Sequence, residues 1–314
     1  MSMSYLVLEN INKSFGAKVA VRNLSLEVPR GSIYGVIGPN GAGKTTTIRM
    51  IMNITVPDSG RVLIEGRERP ADFKNIVGYL PEERGLYKKM TVLEIITYMA
   101  ALKGFPETRS RKEAVPWLER MNLLEYKDHK VEELSKGMQQ KLQFITTILH
   151  DPELIILDEL FSGLDPLNIE LIKSVILDLK ARGKTILFST HVMEQAEKLC
   201  DHVCMINRGS KVLDGRMSEV KAAHGTNTIE LVVDGDASFV NQLPGVSRLV
   251  TYPNYLELQL ADGADSNAIL QAVASKVSVR RFSIEEPSLY NIFIEVAGVD
   301  PDQLASGTGG GAHA

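Results

Sequence analysis

The stretch Gly38-Pro-Asn-Gly-Ala-Gly-Lys-Thr45 decides how the first part of this chain folds. Its spacing, G-x-x-x-x-G-K-T, is typical of a loop in which glycines let backbone N–H groups point into one concavity around phosphate oxygens. A β-rich run, 33–37, precedes it and a helical pattern, 44–53, follows it, so the loop opens a helix whose N-terminus favours an anion. The alternative, an ordinary glycine turn that happens to have a lysine beside it, would not require a strand before it and a helix after it. The sequence therefore predicts a nucleotide site in which Lys44 reaches the β- and γ-phosphates and the Thr45 hydroxyl binds Mg²⁺.

A second motif, Leu154-Ile-Ile-Leu-Asp-Glu159, places two carboxylates at the end of a short buried strand. We expect Asp158 to hold Mg²⁺ or its water, and Glu159 to polarise an attacking water as general base. Because side chains alternate along a strand, Glu159 should point away from Asp158. Because two carboxylates in a turn are common, this motif alone is weak evidence for a metal site. It becomes informative because the same chain also contains the phosphate loop. A long helical block separates the two motifs, and the Asn-Lys-x-Asp motif that recognises guanine is absent. Both observations argue against a compact GTPase.

Composition excludes several classes of protein. The chain has 314 residues, 44% of them hydrophobic and 24% charged, with a net charge of −4, which is typical of a globular protein with a sizeable core. The acidic balance argues against a nucleic-acid partner bound through bulk charge. No apolar run approaches the roughly 18 residues that cross a bilayer, and there is no secretory signal. With only two cysteines there is no disulfide framework, and we expect a cytoplasmic protein.

Strand and helix patterns divide the chain into two domains, 1–222 and 225–297, followed by a flexible tail, 298–314. In the first domain strands alternate with helices, which favours a mainly parallel sheet, and a helical subdomain occupies about 88–150. After Gly225 the pattern becomes βαββαβ, the ferredoxin-like order. The predicted elements of that order are strand 228–233, helix 237–243, strands 246–251 and 255–260, helix 266–274 and strand 277–282, with a last helix at 288–297.

Three further motifs carry a family resemblance. Leu134-Ser-Lys-Gly-Met-Gln-Gln140 opens a helix, Ser162-Gly-Leu-Asp165 precedes another, and Ser189-Thr-His191 ends a strand. Taken singly, Ser135 and Asp165 read as ordinary helix caps. In this order, with the phosphate loop and Asp158-Glu159, they make residues 1 to about 222 resemble the ATP-binding subunits of ABC transporters. The fold implied is an α/β P-loop ATPase core with a helical subdomain, followed here by the small α+β accessory domain.

The resemblance also implies site residues. Glu159, His191 and Lys44 would be catalytic, and Thr45, Glu82 and Asp158 would face Mg²⁺. Phe15 occupies the position where the family stacks an aromatic ring on adenine, although it could instead be a core residue of its hairpin. The residues expected to contact ATP are Phe15, Gly38, Pro39, Asn40, Gly41, Ala42, Gly43, Lys44, Thr45, Thr46, Ser135, Gly137 and Asp165.

Four residues depart from the family pattern. Glu82 stands where a glutamine is usual, which keeps an oxygen ligand but adds a negative charge. Lys136 and Met138 alter the segment Leu134–Gln140, which stands where the family has its signature and is called the signature segment below. Leu160 replaces the proline that usually follows the catalytic glutamate. Glu82, the Leu-Ser-Lys-Gly-Met form and the ending Ser288–Glu295 are similar to the branch that serves antibiotic, drug and sodium exporters with ABC-2-type permeases.

The resemblance implies an ATP-hydrolysing subunit of an exporter. It would form a head-to-tail homodimer and drive a separate transmembrane permease from the inner face of the membrane, with Arg84–Met90 and the adjoining helical block as the docking region. Leu86, Tyr87 and Met90 are the candidate contacts, unless this loop packs only on its own domain. One alternative is a soluble ABC ATPase acting on a ribosome or DNA, although such proteins carry tandem ATPase domains or long coiled coils. Another is a regulatory module that binds nucleotide without hydrolysis, which Glu159 and His191 argue against.

Overall fold

The computed structural model describes residues 4–70, 72–83, 85–224, 228–261, 263–285 and 287–297. The chain divides into two compact units, 1–215 and 216–314. The predicted tail, 298–314, and the predicted boundary residue Gly225 lie outside the described residues, as does Arg84.

The first unit contains ten strands and seven α-helices among its described residues. The strands are β1 (Ser4–Phe15), β2 (Lys18–Pro29), β3 (Ile33–Ile37), β4 (Ser59–Ile64), β5 (Arg67–Glu68), β6 (Val77–Leu80), β7 (Leu154–Asp158), β8 (Thr185–Thr190), β9 (His202–Asn207) and β10 (Ser210–Arg216), the last of which runs one residue beyond the unit. The helices are α1 (Lys44–Ile51), α2 (Phe73–Ile76), α3 (Val92–Ala101), α4 (Glu107–Arg120), α5 (Lys136–Ile148), α6 (Pro166–Ala181) and α7 (Met193–Leu199). Helices α3 to α5 all fall within the stretch expected to form a helical subdomain.

Two sheets organise this unit. An antiparallel sheet has the strand order β2-β1-β4-β5, and a six-stranded sheet has the order β10-β9-β3-β8-β7-β6. In the larger sheet the neighbours from β9 to β6 run parallel. Every residue of β3, β7 and β8 is buried, as expected for parallel strands covered on both faces. Their carboxyl ends meet at one edge, where an open α/β sheet binds its ligands.

Local chemistry explains where the helices begin. Thr91 caps α3 in a reciprocal capping box with Glu94, and the Ser135 hydroxyl caps α5 by accepting from the backbone N–H of Met138. Asp165 caps α6, and Pro166 occupies its first turn, where a missing N–H costs nothing. The signature segment and the segment after Glu159 are therefore both fixed as helix N-termini.

The second unit begins with a helix that the sequence pattern did not predict, α8 (Met217–Ala223). It continues with β11 (Thr228–Asp234), β12 (Val246–Thr251), β13 (Leu256–Leu260), α9 (Ser266–Ala274), β14 (Ser278–Glu285) and α10 (Leu289–Ala297). The strand order is β12-β13-β11-β14 and all paired neighbours are antiparallel, which confirms the ferredoxin-like arrangement.

Two local predictions need correction. The segment expected as helix 237–243 is a short 3₁₀ helix, Ser238–Gln242, in which only Val240 is buried. Ile76, expected to begin a strand, is the last residue of α2, and β6 begins one residue later. Among the described residues, no helix combines the length and apolar character needed to cross a bilayer. Cys200 and Cys204 are buried free thiols.

Candidate functional site

The phosphate loop connects β3 to α1 through backbone conformations that glycine adopts most readily. Gly38 has φ +149° and Gly43 has φ +112°. A Cβ on Gly38 would lie 2.1 Å from the carbonyl oxygen of Ile206, and one on Gly43 would lie 2.6 Å from that of Ala20. Because these backbone carbonyl groups cannot move far enough to make room for a Cβ, both positions require glycine. The same approaches show that β9 and β2 flank the loop and hold its shape.

Lys44 is buried under this loop, with 5% of its surface exposed. Its ammonium group donates to the carbonyl oxygens of Gly38 at 2.9 Å and Pro39 at 3.2 Å. It also lies 3.3 Å from Oε1 of Glu159. The cation is therefore placed between the loop and the carboxylate, where an added phosphate would meet it.

Asp158 ends β7 with no exposed surface. Its Oδ1 accepts a short hydrogen bond from the Ser189 hydroxyl, whereas Oδ2 is buried with no hydrogen-bond partner among the described residues. Burial raises the pKa of Asp158, the nearby hydroxyls of Ser189 and Thr45 oppose that rise, and the charges of Glu82 and Glu159 add to it.

These oxygen donors suit a hard cation. Asp158 interacts with the nearby Thr45 hydroxyl and with the charge of the exposed Glu82, and its Oδ2 accepts no hydrogen bond of ordinary geometry among the described residues. A divalent ion such as Mg²⁺ prefers carboxylate and hydroxyl oxygens together with phosphate and water. The residues present therefore fit Mg²⁺ bound with a nucleotide.

The backbone turn at Glu159, rather than strand alternation, sets the direction of its side chain. It follows the last residue of β7 with φ +51°, so the chain turns left-handed there and the alternation of β7 no longer sets its direction. Its backbone N–H donates to the carbonyl oxygen of Ser189 at 3.2 Å and lies 3.3 Å from the Ser189 hydroxyl. Only 8% of its surface is exposed, and its carboxylate turns towards Lys44 and His191.

His191 follows β8 and presents Nδ1 to Oε2 of Glu159 at 2.9 Å. The imidazole is 44% exposed, so its outer edge is free to meet a ligand. The structure thus brings together the phosphate loop, Lys44, Asp158, Glu159 and His191 at one edge of the parallel sheet. Chemically, the cluster offers the Lys44 ammonium and backbone N–H groups for phosphates, and a carboxylate able to accept a proton from water.

The signature segment lies apart from this cluster. Ser135 is exposed at the start of α5, and the half-buried Gly137 faces the beginning of α6, where an added Cβ would lie 3.7 Å from Leu164. Asp165 accepts from the backbone N–H of Asn168 at 2.9 Å, and these hydrogen bonds lower the pKa of its exposed carboxyl. No hydrogen bond or ion pair joins Ser135 or Asp165 to the phosphate loop within the described part of the chain. A single chain therefore presents two separate surfaces.

The remaining predicted nucleotide contacts differ in how far they are exposed. Phe15, at the end of β1, is 54% exposed, so it is not a core residue of the hairpin, and the ammonium of Lys13 lies 5.5 Å from its ring centre. The loop residues Asn40 and Gly41 are exposed, Pro39, Thr45 and Thr46 are half-buried, and Ala42 is buried.

Two polar residues that the sequence reasoning did not single out are placed beside these motifs. Gln140 is buried in α5 and donates from its amide to the carbonyl oxygen of Leu160 at 3.0 Å. Leu160, which replaces the expected proline, is itself fully buried and so contributes packing. The second residue is Ser189 of the Ser189-Thr-His191 motif. Nothing in the local sequence indicates that its hydroxyl, rather than that of Thr190, contacts Asp158.

Sequence comparisons match this chain to known proteins. Residues 21–162 match the profile of the ABC transporter family, and residues 215–297 match the C-terminal domain of DrrA1-3-like ATP-binding proteins. The chain is 43% identical to the ABC transporter ATP-binding protein YhaQ of Bacillus subtilis (strain 168), over 93% of this chain and 98% of that protein. It is 35% identical to the Nod factor export ATP-binding protein I of Rhizobium sp. (strain N33), over 95% and 98% of the two chains.

Solved structures resemble the fold. An ATP-binding subunit of an ABC transporter superposes with a TM-score of 0.66 at 30% identity, covering 70% of this chain and 93% of that one. The ADP conformation of MJ1267, an ATP-binding cassette of an ABC transporter, superposes with a TM-score of 0.61 at 28% identity, covering 69% and 94%.

Proposed function

Because this chain belongs to the ABC transporter family of ATP-binding proteins and is an ATPase, we propose that it energises the export of a substrate through a separate transmembrane permease. The observation that supports its energising role, the hydrolysis of ATP, is the cluster of Lys44, Glu159 and His191 beside the phosphate loop. Relatives named for export, such as the Nod factor export protein, support the direction of transport.

We assign the roles within one site as follows. Backbone N–H groups of the phosphate loop and Lys44 hold the β- and γ-phosphates, and Thr45, Asp158 and Glu82 face Mg²⁺. When bound, the ion neutralises charge that develops on the phosphate oxygens. Glu159 orients and deprotonates the attacking water, and His191, in contact with that carboxylate, meets the γ-phosphate. Phe15 stacks on the adenine.

The separation of the signature segment from the phosphate loop supports a head-to-tail homodimer. Ser135 and Gly137 begin an exposed helix N-terminus that can accept an anion, yet no hydrogen bond or ion pair links them to the phosphate loop among the described residues of the same chain. Each site would combine the phosphate loop of one copy with Ser135, Gly137 and Asp165 of the other. The γ-phosphate would then close the dimer, and its hydrolysis would open it.

A groove beside the Glu82 segment supports the proposed permease contact. Leu86, Met99 and Leu102 line a cavity of about 180 Å³ together with Tyr79 and Gln143. Leu102 is 59% exposed and lies on the helical subdomain. Tyr87 packs edge-on against Tyr98 of its own domain while staying 54% exposed, and the half-buried Met90 accepts a backbone hydrogen bond from Val131. Leu86 and Leu102 are therefore the better candidates for meeting an apolar helix, and the protein would sit at the inner face of the membrane.

Purification of the tagged chain from membranes tests this function. A polytopic membrane protein should copurify with the parent and be lost with Leu86→Asp or Leu102→Asp, while ATP binding persists. Leu177→Asp, which changes an exposed leucine of α6 outside the groove, should keep the partner. Recovery of ribosomes or DNA instead would favour the alternative, a soluble ABC ATPase acting on those targets.

We also propose that the accessory domain folds separately from the ATPase. The sequence pattern places the boundary after residue 222, whereas the compact units meet at 215/216 and α8 lies in the second of them. Chains ending at 215 and at 222 should both bind ATP. A shortened chain that is folded yet cannot bind ATP would contradict the proposed boundaries.

A further inference from the structure

The Ser189 hydroxyl contacts both carboxylate residues of the site. Ser189 lies in β8, opposite Asp158 of β7 on one side and Val36 of β3 on the other, and it has no exposed surface. Its hydroxyl donates to Oδ1 of Asp158, and its oxygen lies 3.3 Å from the backbone N–H of Glu159. One buried side chain therefore touches the proposed metal ligand and the turn that carries the proposed base.

The contact with Asp158 fixes which carboxylate oxygen is available. A hydroxyl has one proton to give, and here Oδ1 receives it, while Oδ2 has no hydrogen-bond partner among the described residues. Without that donor, Oδ1 would lose the hydrogen bond that holds it, and the carboxylate could turn more freely about its last bond. Ligating carboxylates are commonly oriented by hydrogen bonds from residues behind them.

The contact with Glu159 supports a strained turn. A non-glycine residue with positive φ persists only where the surrounding structure holds it. The Glu159 N–H donates to the Ser189 carbonyl oxygen at 3.2 Å and is shared with the hydroxyl. The same residue of β8 thereby fixes where Asp158 points and where the chain turns towards Lys44.

We infer that Ser189 is a positioning residue that orients Asp158 towards Mg²⁺ and Glu159 towards the attacking water. The inference rests on the proposed Mg²⁺ site. It predicts that the hydroxyl matters for metal-dependent nucleotide binding and hydrolysis, and that it does not matter for ATP binding through the phosphate loop alone.

The test compares Ser189→Ala with Ser32→Ala. Ser32 is also buried, and its hydroxyl donates to the carbonyl oxygen of Pro29 at 2.7 Å at the opposite end of the parallel sheet. ATP affinity is measured by titration in EDTA and over a Mg²⁺ series, with phosphate release and melting temperature measured on the same samples.

With Ser189→Ala, the Mg²⁺ concentration for half-maximal ATP binding should rise about 10- to 100-fold, kcat should fall, and affinity in EDTA should stay that of the parent. Ser32→Ala should keep the parent's Mg²⁺ dependence, and Ser189→Thr, which retains the hydroxyl, should restore it. Equal Mg²⁺ dependence in Ser189→Ala and the parent would overturn the inference, as would equal losses in both alanine variants. If the ATP affinity of the parent protein did not depend on Mg²⁺, the proposed metal site would be overturned and, with it, this role of Ser189.

Discussion

Oε2 of Glu159 lies 2.9 Å from Nδ1 of His191. Oε1 of the same carboxylate lies 3.3 Å from the ammonium of Lys44, so the buried acid is held between an ammonium group and an imidazole. In the proposed mechanism this carboxylate acts on the attacking water, and the two contacts hold it in place. This relationship makes the removal of the acid the most direct test of the mechanism.

Glu159→Gln should reduce phosphate release by about 10²- to 10⁴-fold while ATP still binds, because the amide keeps the shape of the side chain and cannot take a proton. If the head-to-tail dimer is correct, ATP should then hold two copies together. Light scattering should give twice the chain mass with ATP and Mg²⁺ and a single-chain mass with ADP, which lacks the bridging γ-phosphate.

Two further substitutions separate closure from binding in the Glu159→Gln background. Ser135→Arg should block closure by bulk at the α5 N-terminus and leave ATP binding intact, whereas Lys44→Ala should weaken binding itself. If the accessory domain alone holds two copies together, the chain ending at 215 should be used for the same measurement. ATP-bound chains that stay single, or closure that Ser135→Arg does not affect, would rule out the head-to-tail arrangement.

Phe15→Ala should weaken ATP binding about 10-fold, because stacking of a base on an aromatic ring contributes about 1–3 kcal/mol. Val19→Ala is the matched control, since Val19 is an exposed apolar residue of the same hairpin with 40% exposure. Phe15→Trp should retain the affinity. Equal losses in the two alanine variants would mean that the hairpin, and not the ring, is what ATP requires.

Glu82→Gln should make ATP binding less dependent on Mg²⁺. The Glu82 carboxylate adds a negative charge close to Asp158, so the parent needs the metal to screen these carboxylates from the triphosphate. ATP affinity measured at low and high Mg²⁺ should show a smaller ratio in the variant. An unchanged ratio would show that Glu82 does not face the metal.

The sequence predicted the structure best where the conformation of a segment depends on residues only a few positions apart. Glycines forced by close backbone approach, as at Gly38 and Gly43, and capping residues such as Asp165, leave a signal within a few positions. The turn at Glu159 leaves none, because its left-handed conformation depends on hydrogen bonds to Ser189, a residue of a different strand. Helix α8 was missed for a related reason: with only Val220 buried, it shows no apolar periodicity.

The stability of the protein should fall between about pH 6.5 and pH 4 through His150. Burial, with a smaller effect of nearby Lys103, lowers the pKa of His150 to about 4, and its Nδ1 is buried with no hydrogen-bond partner among the described residues. In this pH range the unfolded chain binds a proton at His150 that the folded chain does not. The free energy of unfolding should therefore decrease by about 2 kcal/mol as the pH is lowered through it, after allowance for partial exposure.

Urea unfolding at several pH values measures this effect. His150→Gln should flatten the decline, whereas His129→Gln, which removes an exposed imidazole, should leave it as in the parent. Parallel declines in the parent and His150→Gln would assign the acid sensitivity to other groups.

The order of strands in the larger sheet also has a consequence during biosynthesis. Strand β3, which leads into the phosphate loop, pairs only with β8 and β9, and both of these lie beyond residue 184. A chain still emerging from the ribosome carries the complete loop sequence long before it carries the strands that hold β3 in place. Because such distant pairings form late, ATP cannot assist the early folding of the nascent chain. A truncated product ending before β8 would therefore carry the nucleotide motif without the ability to bind nucleotide.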